Sequence, residues 1–244
     1  MDDRDLLALQ VRTIFVTTAA GRMRYRNTAE RETAPRLYVA GSKAGNIVCL
    51  REDVGEETSG ELARLAASEP PMDGWESSAV HLDEYVRFLG REAPVATVSA
   101  GLTWTFPRAP SPELTVQLIL SGTSDGDCFL ARLDRQGMPA EFRAMGFPDT
   151  SHFWAPWCAA FAGDEFASIA FTSGLSAVGA EIGVNTAPAF RGRGMGAAAC
   201  AGWASHPALH GRTLFYGTDR TNVSSQKVAQ RLGLRFIGAR LSIT

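Results

Sequence analysis

Apolar and polar positions recur at two periods along the chain, and the period changes from segment to segment. Residues 5–18 carry Leu6, Leu7, Leu9, Val11, Ile14 and Phe15, a helical spacing weakened at its end by Val16-Thr17-Thr18. Residues 21–35 are polar and rich in arginine and predict a loop. Two short apolar runs, 37–40 and 46–50, flank Gly41-Ser42-Lys43-Ala44-Gly45 and predict a β-hairpin. Leu62, Leu65 and Ala66 place a helix over 58–68, ended by Pro70-Pro71. Leu82, Tyr85, Val86 and Leu89 predict a second short helix over 81–89, and residues 94–106 are strand-like.

Three prolines fall within residues 107–112, where neither a helix nor a central strand tolerates them. The expected division is therefore an N-terminal α+β domain at 1–107 and a second domain at 113–244. In the second, 113–120 reads as a strand, and 125–133 and 138–145 as helices. Residues 158–162 and 166–171 read as a hairpin around Gly163-Asp164. A strand over 177–185 and a helix over about 194–209 follow. Then come a strand at 213–217, a helix between Asn222 and Gly233, and a last strand at 235–243. The fold class is α+β with a mixed, mostly antiparallel sheet.

The most informative stretch is 178–197. Alternation puts Glu181, Gly183 and Asn185 on one face of its strand and Ala180, Ile182 and Val184 on the other. Pro188 stops the strand. Arg191-Gly192-Arg193-Gly194-Met195-Gly196 then runs into the helix-forming Ala197-Ala198-Ala199. Glycines there let backbone N–H groups approach an anion, and a helix N-terminus adds free N–H groups and a positive dipole end. Strand, Gly-rich turn and helix make a phosphate cradle. A P-loop is excluded, since no Gly-Lys-Ser/Thr follows. Gly192-x-Gly194-x-x-Ala197 fits the dinucleotide fingerprint formally, with Asp219 in range of a ribose, which leaves a nucleotide-binding oxidoreductase as a rival. That fingerprint needs several more βα units, and only 48 residues follow Gly196.

Arg191-x-x-Gly194-x-Gly196 resembles the acyl-CoA pyrophosphate motif of the Gcn5-related N-acetyltransferases, the GNAT superfamily. The preceding strand with Glu181 agrees, as do the following helix and strand. Asn222-x-x-Ser225 and Leu232-Gly233 resemble that family's Asn-x-x-Ser/Ala…Leu-Gly-Phe signature, with Leu234 where Phe is usual. The resemblance covers about 156–244. It implies a GNAT fold with splayed central strands, and acetyl-CoA as co-substrate without a metal. It also implies direct transfer of an acetyl group to an amine of a small molecule or peptide. Arg191, Gly192, Arg193, Gly194, Met195, Gly196 and Ala197 would hold the pyrophosphate. Asn222 and Ser225 would face the pantetheine, besides the cap that Asn222 offers the last helix. Ile182, Gly183 and Val184 would offer N–H groups to the thioester and its oxyanion. Glu181 would be the general base. The family's tyrosine, a general acid seven residues after the Asn, is Ala229 here, leaving Tyr216 or Ser225 as substitutes. The family usually has two strands after its last helix, and here only 235–243 remains. The alternative reading is a non-enzymatic acyl-CoA-binding or sensor protein.

Composition narrows the classes further. Apolar residues are 45%, charged residues 20% and the net charge −2, which describes a globular protein without a field favouring nucleic acid or an anionic membrane. The four cysteines have no metal-type spacing, the N-terminus does not read as a signal peptide, and a cytoplasmic location is expected. A homodimer is compatible with the sequence. His206 and His210, spaced i, i+4, are expected at the surface near a helix end. Trp154 and Trp157 are candidates for the acceptor wall or for the core.

Overall fold

The computed structural model describes residues 1–107 and 116–244. The proline-rich joint from 108 and the first residues of the strand expected at 113–120 lie outside them. The elements in chain order are α1 (Asp3–Ile14), β1 (Phe15–Thr17), β2 (Met23–Arg26), β3 (Leu37–Ser42), β4 (Gly45–Leu50), α2 (Glu56–Ala67), α3 (Leu82–Gly90) and β5 (Val98–Thr105). They continue as β6 (Gln117–Leu120), α4 (Ser124–Gln136), α5 (Ala140–Ala144), β7 (Trp157–Ala162), β8 (Glu165–Leu175) and β9 (Gly179–Thr186). The last are α6 (Met195–Ala204), β10 (Thr213–Asp219), α7 (Val223–Arg231) and β11 (Arg235–Ile243).

Local chemistry explains the boundaries. Asp2 caps α1, its carboxylate accepting from Asp5 N at 2.8 Å. The helix stops at Ile14, earlier than the pattern over 5–18 suggests. Phe15-Val16-Thr17 is a strand sequence that pairs with β2, so the segment expected to be loop contains half of a ribbon. The helix expected to reach 209 ends at Ala204, and Pro207–Leu209 forms a separate short 3₁₀ turn.

One nine-stranded sheet runs β4-β3-β11-β5-β10-β9-β8-β7-β6 among the described residues. This corrects the two-domain expectation. β5 lies between β11 and β10, antiparallel to both, with Thr105 opposite Arg235 on one side and Phe215 on the other. β3 and β4 then extend the sheet beyond β11. The prolines mark an interruption of regular structure, but they do not say whether the strands on either side pair with each other. The order of elements from β6 to β11 is the one the GNAT resemblance implies. The second strand expected after 235–243 is supplied by β5 from the N-terminal part.

Residues 116–244 expressed alone should therefore not unfold cooperatively on heating, because β10 and β11 lose the strand between them. A cooperative melt followed by circular dichroism would contradict this.

Side-chain alternation divides the core. Leu37, Val39, Leu102, Trp104, Trp203 and Tyr216 pack on the face carrying α2, α3, α6 and α7. On the other face Leu7, Val11, Phe15, Tyr38, Phe215 and Ile237 pack around α1, and Phe129, Phe142, Phe153 and Trp157 around α4 and α5. The sheet opens at its centre. β9 and β10 pair in parallel from Gly179/Thr213 to Ile182/Tyr216. Beyond that β9 continues to Thr186 against β8, and β10 to Asp219 against β5.

Candidate functional site

The opening between β9 and β10 leads into a cavity of about 590 Å³ that reaches the N-termini of α6 and α7. The turn before α6 takes the shape its glycines allow. Gly192 and Gly194 adopt φ of 74° and 87°, a left-handed backbone that other residues rarely enter. Gly194 is the N-cap of α6, and the first bond inside the helix runs from Ala198 N to Gly194 O at 3.0 Å. The amides of Met195, Gly196 and Ala197 thus have no helical acceptor, the usual condition of a helix N-terminus. Gly196 keeps the approach low, since a Cβ there would come within 3.0 Å of Thr186 Oγ1.

Of the expected binding residues, Val184, Arg191, Gly192, Gly194, Met195, Gly196, Ala197, Asn222 and Ser225 all line this cavity. Three do not. Arg193 is exposed, its guanidinium 5.4 Å from the Phe190 ring. Ile182 is buried in the core beneath the opening, and Gly183 faces the Phe171 ring on the opposite side of the sheet. Asn222 does cap α7, accepting from Ser225 N at 3.0 Å.

The sequence reading missed Lys227 and Arg231, which line the cavity from α7 together with Ser224 and Val228. The spacing i, i+3, i+4, i+7 puts those four on one helical face, so the signal was present once Asn222 was read as the cap. The Arg231 guanidinium lies against the Gly194 backbone, where a Cβ would approach it to 2.9 Å. Arg191, Lys227 and Arg231 make the rim of the cavity cationic.

Tyr216 lies at the inner end. Its hydroxyl is 2.7 Å from Ser225 Oγ, and burial raises its pKa, so the phenol stays protonated at neutral pH.

Glu181 is not in this cavity. It stands on the other face, where the Gln10 side chain of α1 donates to its Oε2 at 2.6 Å. Burial raises its pKa, while Arg240, the Gln10 hydrogen bond and Arg26 pull the other way. The polar neighbours that oppose it come from α1, β2 and β11, and Trp157 belongs to the aromatic core under α4.

His206 also departs from the expectation. It is buried, with Nε2 3.1 Å from Ser121 Oγ and Nδ1 accepting from Ala208 N at 3.1 Å, which ties β6 to the end of α6. His210 is exposed. Among the described residues no group of three His, Cys, Asp or Glu side chains could hold a metal, and no helix is long and apolar enough to cross a membrane.

No protein-family model matches the chain, and comparison with curated proteins gives no match. Solved structures do show similarity. An acetyltransferase from the GNAT family of Colwellia psychrerythraea is 15% identical over 99% of this chain and 95% of its own, with a TM-score of 0.45. A GCN5-related N-acetyltransferase from Kribbella flavida is 14% identical over 99% and 94%, TM-score 0.46. A GNAT-family protein from Novosphingobium aromaticivorans is 21% identical over 61% of this chain, which spans only 65% of that chain, TM-score 0.41. Likenesses at these identities and TM-scores carry no argument about this chain. The element order and the splayed centre, read from the chain itself, are those that the sequence resemblance implies.

Proposed function

We propose that the protein is an acyl-CoA N-acyltransferase of the GNAT type, with acetyl-CoA as donor. One observation carries the reading: the cavity joins a helix N-terminus with free amides and a cationic rim to the gap between two splayed strands. The N-terminus of α6, Arg191, Lys227 and Arg231 suit the pyrophosphate end of coenzyme A. The pantetheine would run along β9 toward Ile182, where the edge facing β10 has lost its ladder partner. The main-chain N–H of Val184, which alternation turns toward that edge while Gly183 faces β8, would there meet the thioester oxygen.

The acceptor amine would arrive from the α1 face. Its nitrogen attacks the thioester carbon, and the tetrahedral adduct collapses with rupture of the C–S bond. The proton lost by nitrogen goes to Glu181, and the departing thiolate takes one from the Tyr216 hydroxyl. The products are an amide and coenzyme A.

Calorimetry with acetyl-CoA, followed by a thiol-release assay over a panel of amines, tests this. Tight binding and acceptor-dependent thiol release are expected. Binding without release from any amine would favour an acyl-CoA sensor, and no binding would end both readings. Tyr216→Phe should lower kcat at most about 10²-fold and leave KM for acetyl-CoA unchanged. A thiolate of ordinary pKa leaves without much help, so this sits at the low end for acid–base catalysis. Unchanged kcat would make Tyr216 a packing residue.

A further inference from the structure

The face opposite the cavity holds a set of polar groups that protein contacts leave incomplete. Glu181 is half-buried and forms no ion pair among the described residues, and the same is true of Arg240. The Arg240 Nε is buried without a hydrogen-bond partner. The Gln10 Oε1, the Tyr38 hydroxyl and the Thr103 Oγ1 are likewise buried and unpartnered. Native proteins leave few such groups, because each costs its desolvation without return.

These groups belong together. Thr103 lies opposite Gly217 in one ladder and Gly238 in the other. The Gln10 side chain holds Glu181. The Tyr38 phenol, its pKa raised by burial, feels the charges of both Arg240 and Glu181.

Two glycines form the floor between the opposite charges. The Glu181 carboxylate lies over Gly217, where a Cβ would come within 2.8 Å of its Oε1. The Arg240 guanidinium lies over Gly101, where a Cβ would come within 2.5 Å of its Nε. Gly101 and Gly217 sit on neighbouring strands, two residues apart in register, a diagonal of roughly 8 Å. The two charges act on each other without forming an ion pair among the described residues. Glu181, Gly183 and Gly217 keep partial exposure, and the exposed Asp219 stands at the rim.

We propose that the acceptor is a small zwitterion of the α-amino acid type, with its amine at Glu181 and its carboxylate on the Arg240 guanidinium. This rests on the acyltransferase reading above. An α-amino acid carries its amine and carboxylate on one carbon, so a single molecule presents a partner for each of the two groups over this floor. The guanidinium fork suits a carboxylate, and the bound zwitterion neutralises both protein charges at once. An amine lacking the carboxylate would leave Arg240 uncompensated, and sites built around a polar group reject analogues that lack it. Glu181 first takes a proton from the ammonium and frees the lone pair; the nitrogen then forms the amide bond as the C–S bond breaks and sheds its second proton to solvent, Tyr216 regains from solvent the proton it gives the thiolate, and the carboxylate takes no part.

The test compares α-amino acids with their carboxamides and their decarboxylated amines in the thiol-release assay. On the unaltered protein kcat/KM should be at least about 10²-fold higher for the amino acids. Arg240→Gln should cut that preference to within about threefold by raising KM for the amino acids, with acetyl-CoA affinity unchanged, and Arg240→Lys should retain part of it. If amines are acetylated with no carboxylate preference, the inference fails and the acyltransferase reading stands. If acetyl-CoA binds and no amine in the panel releases thiol, both fail. The comparison on unaltered protein decides the matter even if the Arg240 variants do not fold.

Discussion

Glu181→Gln is expected to lower kcat by about 10²–10⁴-fold while acetyl-CoA binds as before, the range over which a positioned base contributes. Glutamine keeps the size of the side chain and its contact with Gln10, but it cannot accept a proton. The carboxylate stands on the face away from the coenzyme cavity, so calorimetry with acetyl-CoA should not register the change. Burial raises the Glu181 pKa, so the ionised base is lost as pH falls through that raised value rather than through the ordinary carboxylate range. The acidic limb of the pH–rate profile should lie correspondingly high and should flatten in the variant. Stability runs the opposite way with pH. A carboxyl with a raised folded pKa binds its proton more tightly in the native state, so native stability falls as pH rises from the ordinary carboxylate pKa through the raised one. The variant should lack that decline, and thermal melts across this pH window would show it. Near-normal turnover with an unchanged acidic limb would make Glu181 structural.

Gly196→Val is expected to weaken acetyl-CoA binding about 100-fold or more. The side chain would rise from the first turn of α6 into the space where the free amides of Met195, Gly196 and Ala197 converge. The added Cβ already meets Thr186 Oγ1 at 3.0 Å, and the methyl groups have Val184 and Val228 beside them. Losing two charge-assisted hydrogen bonds at about 1.5–3 kcal/mol each accounts for a loss of that order. Calorimetry measures it, and a melt on the same sample confirms the fold. Here kcat/KM for acetyl-CoA should fall with the affinity, whereas in Glu181→Gln the two separate. Unchanged affinity would remove the helix N-terminus from the binding site.

The sequence alone determined most of the second half of the chain. The period of the apolar positions located nearly every element from β7 to β11, since local spacing and punctuation by glycine and proline are short-range properties. The glycines at 192 and 194 announced a turn before a helix, and Asn222 announced a cap; the described backbone has both, with the two glycines left-handed. Alternation separated Glu181 from Ile182 correctly, but it could not say what each face would meet.

Only the tertiary structure decided the rest, because those features depend on pairing between distant segments. β5 enters the sheet between β10 and β11, more than a hundred residues away, and nothing in the spacing of residues 98–105 encodes its partners. The choice of α1 as the cover over Glu181 likewise rests on a contact between residues 10 and 181. Helical spacing puts Lys227 and Arg231 on one face of α7, but only the fold turns that face toward the cavity. Arg240 reads as one of two charges in a mostly apolar strand. It becomes a candidate acceptor contact only where Gly101 leaves room for its guanidinium and Glu181 stands unpaired across the same floor.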